Sequence, residues 1–124
     1  MPAALVRRNV WLSLGSGLLL TVVCLSLTPK PPSTDMLYFG DKIGHFLAYA
    51  TLMGWWSQID SRHCRLALSF LIMGLALEIA QSLSGFREGD VFDMAANSIG
   101  VGVGWLATWL KPDWLGWFDR KLAA

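Results

Sequence analysis

Apolar residues fill four stretches of this chain, roughly 9–27, 43–58, 66–83 and 94–110, and polar residues gather between them and at one end of three of them. These runs are apolar on all sides rather than along one stripe, which suits a helix surrounded by other helices or by lipid. Their lengths approach the roughly 17–25 residues that a helix needs to cross a bilayer. The pattern predicts an all-α membrane protein, with four transmembrane helices over residues 9–27, 42–58, 66–84 and 93–110 in an antiparallel bundle. The second helix reaches spanning length when Asp41 and Lys42 begin it at the headgroup level. Pro29 stops the first helix and Pro112 the fourth. The stretch from residue 29 through 40 reads as an outer loop, with an interfacial turn at 36–39. Ser61, Arg62 and His63 read as a tight turn at the opposite end, and 85–90, with two glycines, as a second outer loop. Residues 113–122 predict a short C-terminal interfacial helix, with Trp114, Leu115, Phe118 and Leu122 on one face and Asp113, Arg120 and Lys121 pointing away. The alternative, a soluble bundle of buried helices, lacks loops enough to supply a polar coat. Residues 1–124 read as one domain.

Polar residues inside the apolar runs are more informative than the runs. Asp41, Lys42, His45 and Tyr49 lie near the start of the second helix, with Asp41, His45 and Tyr49 at i, i+4, i+8 on one slowly drifting face. Glu78 and Gln81 are i, i+3 neighbours near the end of the third. Arg87 lies in the loop, and Asp90, Asp93 and Asn97 follow at i, i+3, i+7. At about 1.5 Å of rise per residue, His45, Gln81 and Asp93 fall within roughly one turn of the same interface. Glu78 lies about two turns in, level with Tyr49 and Asn97. The opposite helix ends carry essentially none of these groups. Carboxylates and imidazoles on membrane helices are costly and mark function by default. A carboxylate at the depth of Glu78 is protonated, paired or in a wet cavity. His45 is the deepest basic group, so a His45–Glu78 contact is expected, direct or through one water, within about 8 Å. Asp41 and Asp93 also suit helix N-termini, Lys42 and Arg87 suit snorkelling to headgroups, and Asn97 suits an interhelical strut.

Three chemistries fit this set. Lys42 and Arg87 can hold the phosphate of an outer-leaflet lipid, with His45, Glu78 and Asp93 as acid/base groups and Gln81 and Asn97 as hydrogen-bonding groups. His45 with Glu78, Asp90 or Asp93 can hold a divalent metal, although no HExxH or paired-histidine spacing supports zinc and no metal is assigned. The carboxylates and imidazole can relay protons in a small transporter. Ser82 and Ser84 have no nucleophile-elbow context. No cofactor is assigned.

Composition narrows the picture. Of 124 residues 54% are hydrophobic and 15% charged, and the net charge is +1, which leaves no basic face for nucleic acid. Arg7, Arg8, Arg62, Arg65, Lys111, Arg120 and Lys121 fall on one side of the predicted spans, and Lys30, Lys42 and Arg87 on the other. The positive-inside rule places the first set, and both termini, in the cytoplasm of a multi-pass protein. Trp11, Trp55, Trp56, Trp109, Trp114 and Trp117 gather near that inner interface. No small-x-small cleavage site follows the first apolar run, and Val23 does not suit a lipobox at Cys24, so the run is kept as a helix. Cys24 and Cys64 lie at opposite depths and cannot bridge; both read as free, apolar-packed thiols. Ala96, Gly100 and Gly104 recur every fourth residue, as do Gly44 and Ala48, a spacing that suits either packing of the second helix on the fourth or a homo-oligomer through Gly100 and Gly104.

Asp41-Lys42-Ile43-Gly44-His45-Phe46-Leu47-Ala48-Tyr49, then Glu78-Ile79-Ala80-Gln81, then Arg87 and Asp90-Val91-Phe92-Asp93-Met94-Ala95-Ala96-Asn97-Ser98-Ile99-Gly100 together resemble the signature of VanZ-like integral membrane proteins. That pattern is roughly D-K-x-x-H-x-x-x-Y, E-x-x-Q and R-x-x-D-x-x-D-x-x-A-N-x-x-G, and the resemblance covers about residues 41–104. The family's founding member is linked with low-level teicoplanin resistance. The resemblance therefore implies a bacterial cell-envelope role in the inner (plasma) membrane, tied to antibiotic resistance, with an outward-facing polar site for an outer-leaflet lipid-linked or glycopeptide-related ligand. It marks the matched residues as functional positions and carries over no reaction. The competing class is a structural or assembly protein whose polar network fixes helix packing.

Overall fold

A computed structural model describes residues 5–27, 35–84 and 91–123, the side chains of 35–39, 41, 84 and 123 excepted. Among these residues every regular element is a helix, five in all: α1 (Arg8–Leu27), α2 (Asp35–Ile59), α3 (His63–Ser84), α4 (Val91–Leu110) and α5 (Trp114–Ala123). Two of them, α1 over its whole length and α3 over His63–Leu83, are long and apolar enough to cross a membrane. The polar side chains that build the site, Lys42 and His45 on α2 and Asp93 and Asn97 on α4, dilute the apolar character of the other two long helices.

Two helix starts differ from the sequence expectation by three residues or more. α2 begins at Asp35, so residues 35–40 are helical rather than loop. The last proline before them is Pro32, and a single glycine at position 40 costs a helix only about 1 kcal/mol. α3 begins at His63, three residues early. Asp60 provides the reason. Its carboxylate accepts the Arg62 amide at 2.9 Å and the Arg62 guanidinium at 2.9 and 3.0 Å, closing the turn in the short stretch before the helix. Those hydrogen bonds from Arg62 hold the Asp60 carboxyl down at about 2.

The core is organised around α2 and α4, which pack together far more extensively than any other pair. A methyl group on Gly104 would stand 2.5 Å from the Ala50 carbonyl oxygen and 2.9 Å from the Gly54 amide, and one on Gly100 would collide with the Phe46 carbonyl. The glycines thus let two backbones touch. The α2 side of this seam is Phe46, Ala50 and Gly54, not Gly44 and Ala48: nothing stands within 4 Å of a Gly44 methyl position. The Gly100/Gly104 face, equally suited to a second copy, is filled by α2 of the same chain. Tyr49, Leu52, Met53, Ala67, Phe70, Val22 and Val101 form the apolar centre.

A second cluster closes the end where α1 begins and α2 ends, and α5 packs into it through Leu115. Trp11, Trp55 and Trp114 meet edge to face, and the Trp55 indole donates to the Trp11 carbonyl at 3.0 Å. Asp119, fully buried, accepts the Val6 amide at 2.6 Å, the Arg7 amide at 3.0 Å and the Trp11 indole at 2.8 Å. This face of α5 is therefore Leu115 and Asp119, one turn apart. Phe118 and Leu122, expected beside Leu115, are half exposed, as is Trp117. Ser57 and Thr108 share a hydrogen bond of 2.5 Å nearby, and Gln58 accepts the Leu115 amide at 3.3 Å. Gln58 and Asp119 are buried polar residues at this end because α5 and the start of α1 fold over it, and their amides need acceptors. Cys24 and Cys64 are not joined in a disulfide, and both are exposed rather than packed.

Candidate functional site

The site lies at the end of the bundle where α2 and α4 begin and α3 ends. Three helices each supply one titratable group: His45 from α2, Glu78 from α3 and Asp93 from α4. One ligand-type atom of each lies within 4.8 Å of the others. Glu78 and Asp93 are buried, at 6% and 3% exposure. Helical geometry explains the convergence. α2 and α4 start at the same end and are locked in register by the Gly100/Gly104 seam, so Lys42 and His45, about two to three turns into α2, meet Asp93 and Asn97 in the first two turns of α4. Glu78, one and a half turns before the end of α3, reaches the same level from the opposite direction.

Around these three the polar contacts are ordered. Lys42 Nζ forms a salt bridge with Asp93 Oδ1. The other oxygen, Oδ2, faces His45 Nε2 at 3.6 Å. On the far side of the ring, His45 Nδ1 is 3.0 Å from Asn97 Oδ1. An amide oxygen only accepts, so Nδ1 carries the hydrogen and donates it to Asn97, while Nε2 is the ring nitrogen that faces Asp93. Gly74 makes room for the next layer. A methyl there would stand 2.9 Å from Asn97 Nδ2 and 3.3 Å from the Tyr49 hydroxyl, which places both groups against the α3 backbone. Asn97 and Tyr49 are themselves buried.

The structure thus gathers Lys42, His45, Glu78, Asp93 and Asn97, with Tyr49 beside them. It turns Gln81 elsewhere: its amide donates to the Ser26 carbonyl of α1 at 2.6 Å, tying α3 to α1. The side chain of Asp41 and the residues Arg87 and Asp90 lie outside the described residues. The second histidine, His63, sits at the other end of the bundle with its ring on the Ser57 carbonyl at 3.1 Å.

Chemically, the cluster pairs an imidazole with two carboxylates in an otherwise apolar bundle. Such an arrangement can give or take a proton, hold a cation, or hydrogen-bond a polar head group. Sequence reasoning missed the Asp119 latch at the opposite end. Two of its three donors are the Val6 and Arg7 backbone amides, more than a hundred positions away, which leave no residue signature.

No family model, no curated protein and no solved structure matches this chain.

Proposed function

We propose that the chain is a VanZ-like cell-envelope membrane protein whose site binds, and chemically serves, the polar head of an outer-leaflet amphiphile bearing phosphate or sugar. The convergence of His45, Glu78 and Asp93 from three helices carries this reading. In a membrane, buried polar groups of this kind are expensive, and three of them at one level suit a working site better than scattered struts.

Placement in a membrane is supported by the inversion of the usual pattern. Glu78, Gln81, Asp93 and Asn97 are buried, whereas Leu14, Leu20, Leu47, Leu68, Ile72, Leu75, Ile99 and Leu106 are exposed on α1–α4. Apolar surface spread over four helices calls for lipid. On this reading α1–α4 all span, the polar α2 and α4 being shielded by α1 and α3, and α5 lies at the cytoplasmic interface with Trp117, Phe118 and Leu122 towards the lipid. Both termini are cytoplasmic, in line with the distribution of Lys and Arg, and the site faces outward.

Lys42 places a positive charge beside Asp93 at the outer end of the cluster, where an anionic head group would arrive. His45 and Asp93 stand behind it as acid/base groups, with Asn97 holding the imidazole. The test is lipid analysis of the protein purified in mild detergent, set against the bulk membrane extract. Enrichment of one phosphate- or sugar-bearing amphiphile is the expected result. Recovery of bulk phospholipid in membrane proportions contradicts it.

A further inference from the structure

We propose that His45, Glu78 and Asp93 form a divalent metal site of the zinc or manganese type, an inference that rests on reading this cluster as a working site rather than a packing network. Four observations converge on it. The donors are one imidazole nitrogen and two carboxylates, a set that suits zinc or manganese better than the all-oxygen shells of magnesium and calcium. They come from three different helices and meet within 4.8 Å. Donor pairs around a tetrahedral zinc stand about 3.3 Å apart, given metal–ligand distances of about 2.0–2.1 Å. The His45 Nε2 to Asp93 Oδ2 separation of 3.6 Å is already close to that. Bringing Glu78 in takes a side-chain adjustment on the order of 1 Å or a little more.

The groups behind the donors fit as well. A metal-binding histidine typically gives its other ring hydrogen to an oxygen acceptor, which fixes the tautomer and aims the free nitrogen. Asn97 Oδ1 does this for His45 Nδ1 at 3.0 Å. A binding carboxylate is typically held by a hydrogen bond on its second oxygen. Lys42 does this for Asp93, leaving Oδ2 towards the centre. Asn97 and Lys42 are thus positioning residues. Two buried carboxylates in one cluster repel each other, and a dication between them turns that repulsion into attraction. Three protein ligands leave a coordination position open, where a water or a head-group oxygen would bind and be polarised.

The experiment uses the full chain in detergent, with Cys24→Ser and Cys64→Ser to remove thiols as adventitious ligands. The protein is stripped with chelator, equilibrated with micromolar Zn²⁺ or Mn²⁺ or with Ca²⁺, and analysed for bound metal. We expect close to one Zn²⁺ or Mn²⁺ per chain and little Ca²⁺. His45→Ala and Asp93→Asn lower affinity by about tenfold or more, Asn97→Ala by a similar factor through the ring it orients, and Ser98→Ala, an exposed α4 residue, leaves it unchanged. Helicity and monodisperse elution of each variant show that it folds. Retention no greater than in His45→Ala, or equal loss in Ser98→Ala, overturns the metal site. Lipid enrichment measured in the protein as purified, before chelation, separates the two readings. Enrichment without metal binding leaves the proposed function standing and removes the metal, and metal binding without enrichment does the reverse.

Discussion

Lys42 and Asp93 form a salt bridge between α2 and α4 that takes one carboxylate oxygen and leaves the other facing His45 Nε2 at 3.6 Å. The pair does two things. It neutralises charge where α2 and α4 begin, and it fixes the rotation of the Asp93 carboxylate relative to the imidazole. That geometry depends on how closely the two helices approach, so the glycine seam and the site are parts of one construction.

The seam is open to direct test. Gly104→Ala puts a methyl 2.5 Å from the Ala50 carbonyl oxygen. The α2 and α4 backbones must then separate, at a cost of about 1–3 kcal/mol. Gly102→Ala, which meets nothing within 4 Å, is expected to be neutral or to gain about 0.5–1 kcal/mol from the better helix former. Thermal or denaturant unfolding in detergent compares them. Equal stability of the two variants contradicts the seam.

Asp119 gives a pH-dependent contribution at the other end. Burial alone raises its carboxyl, but hydrogen bonds from the Trp11 indole and the Val6 and Arg7 amides, together with the Arg7 charge, bring it below the ordinary carboxylate value. A depressed folded-state value means that the ionised form favours folding. The stabilisation is therefore complete above the unfolded-state value of about 4 and is lost as pH falls below it towards the folded-state value. Asp119→Asn is expected to unfold at lower temperature than wild type at pH 7, with the gap closing below about pH 4. Hydrogen exchange at Val6 and Arg7 should quicken in the variant. A gap that does not change with pH contradicts the latch.

Sidedness is tested with cysteines. In a background without Cys24 and Cys64, a cysteine at position 62, on the exposed turn before α3, is expected to react with an impermeant maleimide only after permeabilisation, and one at position 33 in intact cells. Labelling of position 62 from outside, or failure at position 33, contradicts cytoplasmic termini and an outward site.

The apolar runs made the helices readable from the chain, because a bilayer-length stretch of Leu, Val, Ile and Ala has few alternatives to a helix. Prolines at 29 and 112 lie just beyond the ends of α1 and α4. The α2 start was not readable, because Pro, Ser and Thr before it suggest a loop that the apolar residues 36–39 do not continue. Counting residues by depth put His45, Gln81 and Asp93 near one interface and Glu78 about a turn deeper, and the structure brings His45, Glu78 and Asp93 together. Depth says nothing about rotation around each helix axis. For that reason Gln81, one turn from Glu78, turns to Ser26 on α1, and the α2 seam runs along Phe46, Ala50 and Gly54 rather than Gly44 and Ala48. The Asp119 latch was illegible for a further reason: two of its three partners are main-chain amides, and only the folded termini bring them within reach.

The central claim, that the buried polar cluster works on a ligand rather than merely holding helices together, is tested most directly by lipid enrichment in Glu78→Gln. The substitution keeps size and shape, removes the charge, and turns one accepting oxygen into an NH₂ donor. We predict normal yield and helicity, with enrichment of the phosphate- or sugar-bearing amphiphile reduced to the level of the bulk membrane. Enrichment equal to wild type, or a loss of enrichment that occurs only together with a loss of folded protein, contradicts it.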